Sequence, residues 1–253
     1  MVSKILELKN KDRKTGQEKV VGKMEIKNKL EDRADLFFYG DICSSTWGCW
    51  EDEDKCPQDV ADFLKDLDNN KEINIYINSG GGSVFAGLAI YNQLKRHPAN
   101  KTVYVDGLAA SISSVIALAG DKVIIPKNAQ FMIHKPWSWA IGNANDLRKT
   151  ADSLDSCEQS ILNVYEENLK GGVDIETIKQ FVNDETWFTG EEAAKYFNID
   201  VEEESELVAC ASEYFEKYKN IPRNLFENDN KKIKNDLEKK ELQTRLRIAK
   251  AMM

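Results

Sequence analysis

The sequence predicts an α/β protein built on a mainly parallel sheet, on three observations. Short runs rich in β-branched residues (Ile73 to Ile77, Thr102 to Asp106, Lys122 to Ile125, Ala129 to Ile133) are interleaved with stretches whose apolar residues recur at helical spacing. Strands that alternate with helices imply βαβ crossovers, and hence parallel pairing. Two of the runs end in small-residue breaks, Asn78 to Gly82 and Gly107 to Ser111. These breaks then fall at the carboxyl ends of neighbouring strands, where open α/β sheets place their sites.

Taken in order, residues 1–34 are charged and lysine-rich, with a short alternating run at Val20 to Ile26 that can pair as a strand. They predict a mobile or accessory N-terminal arm. Leu36 to Ile42 predicts a buried strand, and Ser44 to Lys55, with two tryptophans and an acidic tip, predicts a loop. Pro57 opens a helix to Leu67 with Val60, Phe63, Leu64 and Leu67 on one face. A strand Ile73 to Ile77, the glycine loop and a helix with Val84, Leu88, Tyr91 and Leu94 in register come next. His97 precedes Pro98, where that helix must end, and is expected at the surface. Strand Thr102 to Asp106, helix Ser111 to Ala119 and the two strands Lys122 to Ile125 and Ala129 to Ile133 complete the sheet. Asn143 to Leu169 carries a helical stripe (Leu147, Ala151, Leu154, Ile161, Tyr165, Leu169) over more residues than a small core needs, which suggests packing on another subunit. Helix Ile175 to Val182, an extended piece Glu185 to Thr189 and helix Glu191 to Tyr196 close the core. From Glu227 onward there are 5 acidic and 8 basic side chains, in a weakly amphipathic tail. The domain reading is thus 1–34, 35–203 and 204–253.

Composition excludes several functions. At 253 residues, with 31% charged side chains and a net charge of -8, the chain suits a soluble domain with no general nucleic-acid role. There is no run of 18 apolar residues and no signal-peptide pattern at the N-terminus, so a cytoplasmic protein away from the membrane is expected. Five cysteines, Cys43, Cys49, Cys56, Cys157 and Cys210, form no C-x-x-C pair, and reduced structural thiols are expected rather than a metal site. The glycine loop matches neither phosphate-binding pattern, so no cofactor is expected.

What remains is Ser111 and His134, one of only two histidines. A serine hydroxyl needs a base to take its proton, and histidine titrates in the right range. Small residues at Gly107, Ala109 and Ala110 let the backbone turn and present Ser111 at a helix N-terminus, where free N–H groups favour an oxyanion. The same residues also serve a helix packed tightly on a sheet, with His134 closing a strand.

Four ordered segments add to this reading: Ile77-Asn-Ser-Gly-Gly-Gly-Ser-Val, Gly107-Leu-Ala-Ala-Ser-Ile, Met132-Ile-His-Lys-Pro and Glu185-Thr-Trp-Phe-Thr-Gly-Glu-Glu-Ala193. Together they resemble the ClpP family of self-compartmentalising serine peptidases over roughly Asp35 to Val201. Met132 to Asp155 and Glu185 to Trp187 resemble most the ClpP-related head maturation proteases of tailed phages and prophages. The resemblance implies a ClpP/crotonase-like spiral of βαβ units with a handle helix over Gly142 to Leu169, and homo-oligomeric rings. It makes Ser111 the nucleophile and His134 the general base, with the N–H groups of Gly81 and Ile112 as the oxyanion hole. The acid falls on Glu185, with Asp184 as the alternative, where the family has aspartate. Gly80 stands where the housekeeping peptidases usually have proline. Gln130 to Ile133 with Lys135 to Trp139 would line the peptide groove. The implied substrates are proteins and peptides, in particular phage capsid or scaffold proteins, with capsid, scaffold or portal proteins as partners; a housekeeping ATP-fed subunit is the alternative. A crotonase-type acyl-CoA enzyme and a non-catalytic shell protein are the alternatives of other classes.

Overall fold

The computed structural model describes residues 4–11, 18–30, 33–42, 61, 64–65, 72–203 and 217–222. The chain forms two compact units, Met1–Tyr218 and Lys219–Met253, and of the second only residues 219–222 are described. The loop expected at Ser44 to Lys55, most of the helix expected at Pro57 to Leu67, and the tail from Glu227 lie outside the described residues.

The first unit is organised on a nine-stranded sheet: β1 (Lys4–Lys11), β2 (Glu18–Leu30), β3 (Arg33–Gly40), β4 (Glu72–Ser79), β5 (Asn100–Ala110), β6 (Lys122–Pro126), β7 (Gln130–Ile133), β8 (Thr186–Thr189) and β9 (Asp200–Glu202). The order is β1-β2-β3-β4-β5-β6-β9, with β7 leaving the path to pair with β5 and β8. From β3 to β6 every pairing is parallel, as the βαβ alternation requires. Of the residues expected to form an N-terminal arm, 4–11 and 18–30 are strands of this sheet. β1 and β2 form an antiparallel hairpin that continues the sheet from β3, and the run Val20 to Ile26 is the centre of β2.

Between the strands lie α1 (Val84–Arg96), α2 (Ile112–Ala117), α3 (Ala144–Glu167), α4 (Ile175–Asn183) and α5 (Gly190–Tyr196). Alternation in β4 buries Ile73, Ile75 and Ile77 in the core, and in β5 buries Val103 and Val105. The opposite face carries a ladder of rings across β3, β4 and β5: Phe37 stacks on Tyr76 at 4.7 Å and Tyr76 on Tyr104 at 5.3 Å. His97 is not a surface residue. It is 9% exposed, its Nδ1 accepts the Ala99 N–H at 3.3 Å, and the buried Lys101 Nζ donates to its carbonyl at 3.1 Å. Lys101 in turn pairs with Asp121 at 3.1 Å.

α3 begins at a capping box, with Asn143 accepting from Asp146 N–H and Asp146 reaching back to Asn143 N–H. Only Ile161, Leu162, Val164 and Tyr165 of this helix are buried, so its N-terminal half runs clear of the core. The fully buried Tyr165 shares a 2.8 Å hydrogen bond with Ser114, tying α3 to α2. α1 packs on α2 through a glycine: a Cβ at Gly87 would stand 2.1 Å from Ile112 Cγ1. Gly87→Ala is therefore expected to lower stability by about 1–3 kcal/mol in urea denaturation. Adding Ile112→Ala should restore part of that loss, since the clash is with that one side chain.

Candidate active site

Three strand pairings build the site at the carboxyl edge of the sheet. Parallel pairing sets Ala110 of β5 opposite Met132 of β7, and the Ser111 N–H donates to the Met132 carbonyl at 2.9 Å. Ser111 and His134 thus leave adjacent strands at the same level. Antiparallel pairing sets Ile133 of β7 opposite Thr186 of β8. The next residue on one strand is His134 and the preceding residue on the other is Glu185, so the register brings these two side by side. Parallel pairing of Ser79 with Ala109 brings the glycine loop to Ser111.

The strand-to-helix turn at Ser111 is sharp. Its backbone sits at φ 57, ψ -127, a region that costs a non-glycine residue about 1–3 kcal/mol and persists only where neighbours enforce it. Here they do: its carbonyl accepts from Ser114 N–H at 3.0 Å, and Ser113 Oγ donates to the carbonyls of Ala110 at 2.7 Å and Ser79 at 2.9 Å. The turn presents the Ser111 hydroxyl to His134, with Oγ to Nε2 at 2.8 Å.

His134 is 9% exposed. Burial disfavours the imidazolium and pulls its pKa from 6.5 to about 4, against the weaker opposing pull of the Glu185 carboxylate. Glu185 occupies left-handed backbone at φ 52, between α4 and β8. Asp184 caps the end of α4, where its carboxylate accepts from Gln180 Nε2 at 2.7 Å and Asn183 Nδ2 at 3.0 Å, bonds that hold its pKa below the usual range. The acid whose charge reaches His134 is therefore Glu185.

The glycine loop holds the expected oxyanion donor, Gly81, beside Ser111. Gly81 lies against Ser111, where a Cβ would meet Ser111 Cβ at 2.7 Å, and its φ is 98. Its N–H, however, donates to Ser79 Oγ at 3.1 Å, inside the loop. The Gly81 carbonyl accepts from Ile42 N–H at 2.6 Å, which turns the N–H of the same peptide unit, that of Gly82, away from Ile42. Among the described residues neither Gly82 N–H nor Ile112 N–H has a protein acceptor. Gly82 can be nothing but glycine, since a Cβ would stand 1.9 Å from Ile42 O.

Sequence reasoning did not find Tyr218. Its hydroxyl donates to the Gly80 carbonyl at 2.5 Å, and its ring meets those of His134 at 5.2 Å and Trp187 at 5.8 Å edge-on. Beside it, Lys217 Nζ stands 4.6 Å over the Trp137 ring. No sequence signal links positions 138 residues apart. Among the described residues no His, Cys, Asp and Glu cluster is arranged to hold a metal, and no helix is long and apolar enough to cross a membrane. Cys157, a free thiol, is the cysteine the described residues include.

Comparison with known proteins finds relatives of the chain. Residues 53–201 match the family model for Clp protease. The ATP-dependent Clp protease proteolytic subunit of Ligilactobacillus salivarius is 37% identical over 141 residues, covering 54% of this chain and 70% of the relative. Proteolytic subunit 3 of Streptomyces coelicolor is 35% identical over 141 residues, covering 54% and 64%. Among solved structures, a ClpP1 mutant from Listeria monocytogenes superposes with a TM-score of 0.55 at 25% identity, over 67% of this chain and 91% of that one.

Proposed function

The chain belongs to the Clp protease family, and we propose that it is a serine endopeptidase with Ser111 as nucleophile and His134 as general base. The observation that carries this is the 2.8 Å contact between Ser111 Oγ and a buried His134 Nε2, at a strained strand-to-helix turn. His134 takes the hydroxyl proton as Ser111 Oγ attacks the peptide carbonyl carbon, then gives it to the departing amine. Water attacks the acyl ester with His134 again as base, and Ser111 is regenerated. Glu185 orients the imidazole and favours its charged form during each transfer. The oxyanion donors are the N–H groups of Ile112 and Gly82. Gly82 replaces Gly81 in this role because the Gly81 N–H is engaged by Ser79. A fluorophosphonate probe followed by peptide mass spectrometry tests the reading: the adduct is expected on Ser111, and an unlabelled chain or an adduct elsewhere refutes it.

The long α3 and the exposed Trp139 and Ile141 before it support a homo-oligomeric ring, since these groups are 81% and 86% exposed in the single chain. Light scattering is expected to give a multiple of 28.8 kDa, and a monomer at working concentration would refute it. For the biological substrate we propose capsid or scaffold proteins of a phage or prophage head. The support is the basic stretch from Glu227 in an otherwise acidic chain, suited to tether an acidic scaffold and raise its local concentration. A second reading, a subunit fed by an ATPase, is favoured by the relatives, which are named as ATP-dependent proteolytic subunits. Co-expression with portal, scaffold and major capsid proteins against a Ser111→Ala control separates them. Cleavage only with Ser111 supports head maturation; intact capsid proteins with ATP-dependent casein degradation on adding a host unfoldase support the second reading.

A further inference from the structure

Tyr218 follows the sheet and its helices in sequence, yet it is 8% exposed and its ring meets edge-on the imidazole that contacts Ser111. Its three partners come from different walls of the site: the Gly80 carbonyl from the glycine loop, His134 from the end of β7, and Trp187 from β8. Lys217 continues along the same wall, over Trp137 in the segment after His134. Gly81 and His134 both lie against Ser111, so the glycine loop and the end of β7 flank its Oγ. The backbone of Gly80, Gly81 and Gly82 carries no side chains of its own to fill the gap. What fills it beside His134 is a tyrosine ring whose hydroxyl has found a backbone acceptor, the way an amphipathic aromatic side chain satisfies its polar end when buried.

We propose that the Lys217–Tyr218 segment is a tethered occupant of the peptide site, so that the free chain is self-occluded and an incoming peptide must displace Tyr218 from the pocket formed by His134, Trp187 and the Gly80 carbonyl. The proposal rests on the peptidase reading for its meaning, but the occupancy itself is a property of the fold. A site held closed nine-tenths of the time shows an apparent affinity about tenfold weaker than its intrinsic one, and removing the occupant recovers that factor. The pocket, which suits a ring with a hydroxyl at its far edge, selects tyrosine-bearing peptides as the competing substrates.

The test uses the full chain. Tyr218→Ala is expected to label with a fluorophosphonate about tenfold faster than the natural chain and to cleave a tyrosine-containing peptide at lower KM with kcat unchanged. Tyr218→Phe, which keeps the ring and loses the hydrogen bond to Gly80, is expected to fall between the two. A readout independent of catalysis comes from the two histidines, whose imidazole resonances can be told apart with a His97 variant. In the Ser111→Ala background, Tyr218→Ala should move the His134 resonance and leave that of His97, and N-acetyl-tyrosinamide should move it back. Where the natural chain labels, labelling of Tyr218→Ala that is no faster overturns the proposal, as does a His134 resonance that does not move. If no variant labels while the His134 resonance moves as stated, the peptidase reading fails and the occupancy stands.

Discussion

Ser111→Ala and His134→Ala will each lower peptide hydrolysis by about 10⁴- to 10⁶-fold, and the double variant will be no worse than either single one. The non-additivity is the informative part. A hydroxyl and an imidazole in 2.8 Å contact are expected to act as one unit, so that once either is gone the other has nothing to do. Both variants should fold. Ser111→Ala leaves the strained φ of 57 in place, together with the bonds made by Ser111 N–H and carbonyl. His134→Ala removes a ring from a site partly closed by Tyr218 and Trp187, so its melting temperature must be checked beside its rate. Retained hydrolysis in Ser111→Ala would move the chemistry to the backbone amides alone, as in an acyl-CoA enzyme of the crotonase type. Purified chain that is inert in every form would leave a shell protein.

How much of this was legible beforehand depends on whether a feature is local. The order of strands and helices from Ile73 to Tyr196 is written in side-chain period, and the structure keeps it with small changes of boundary: β5 runs on to Ala110, and α2 is shorter than Ser111 to Ala119 suggested. Ser111 and His134 were legible because small residues mark the turn before one and an apolar strand ends at the other. The hairpin of β1 and β2 was not. A strand at the margin of a sheet carries lysine readily, and in sequence such a strand has the composition of a solvated arm. His97 was misplaced for a related reason. Pro98 does end the helix, but burial there is decided by Lys101 and Asp121, which pair 20 residues apart.

At the site, motif spacing located the glycine loop but not which of its amides is left without an acceptor inside the loop. That choice turns on two hydrogen bonds: Ser79 Oγ takes the Gly81 N–H, and Ile42 takes the Gly81 carbonyl. Neither follows from a pattern of glycines, since glycine imposes no direction on the peptide units beside it. Tyr218 lies further still from any motif, and only the folded chain brings it to Gly80.

Glu185→Gln is expected to lower kcat/KM by about 10²- to 10⁴-fold, with Asp184→Asn within about threefold of the natural chain. The two acids are neighbours in sequence and opposites in place. Asp184 is bound to Gln180 and Asn183 on the outer end of α4, whereas Glu185 turns through left-handed backbone into β8 opposite His134. The pH profile distinguishes an electrostatic role from a structural one. His134 must be neutral to act as base, so activity rises with pH through its pKa, which burial sets at about 4. Glu185 attracts the imidazolium and raises that pKa; replacing it by the amide must shift the acid limb to still lower pH even as the plateau falls. The same depressed pKa implies that His134 contributes stability above its ordinary 6.5, lost as pH falls toward 4, since charging a buried ring then favours unfolding. A larger loss at Asp184→Asn, or an acid limb that moves upward in Glu185→Gln, would assign the orienting carboxylate elsewhere.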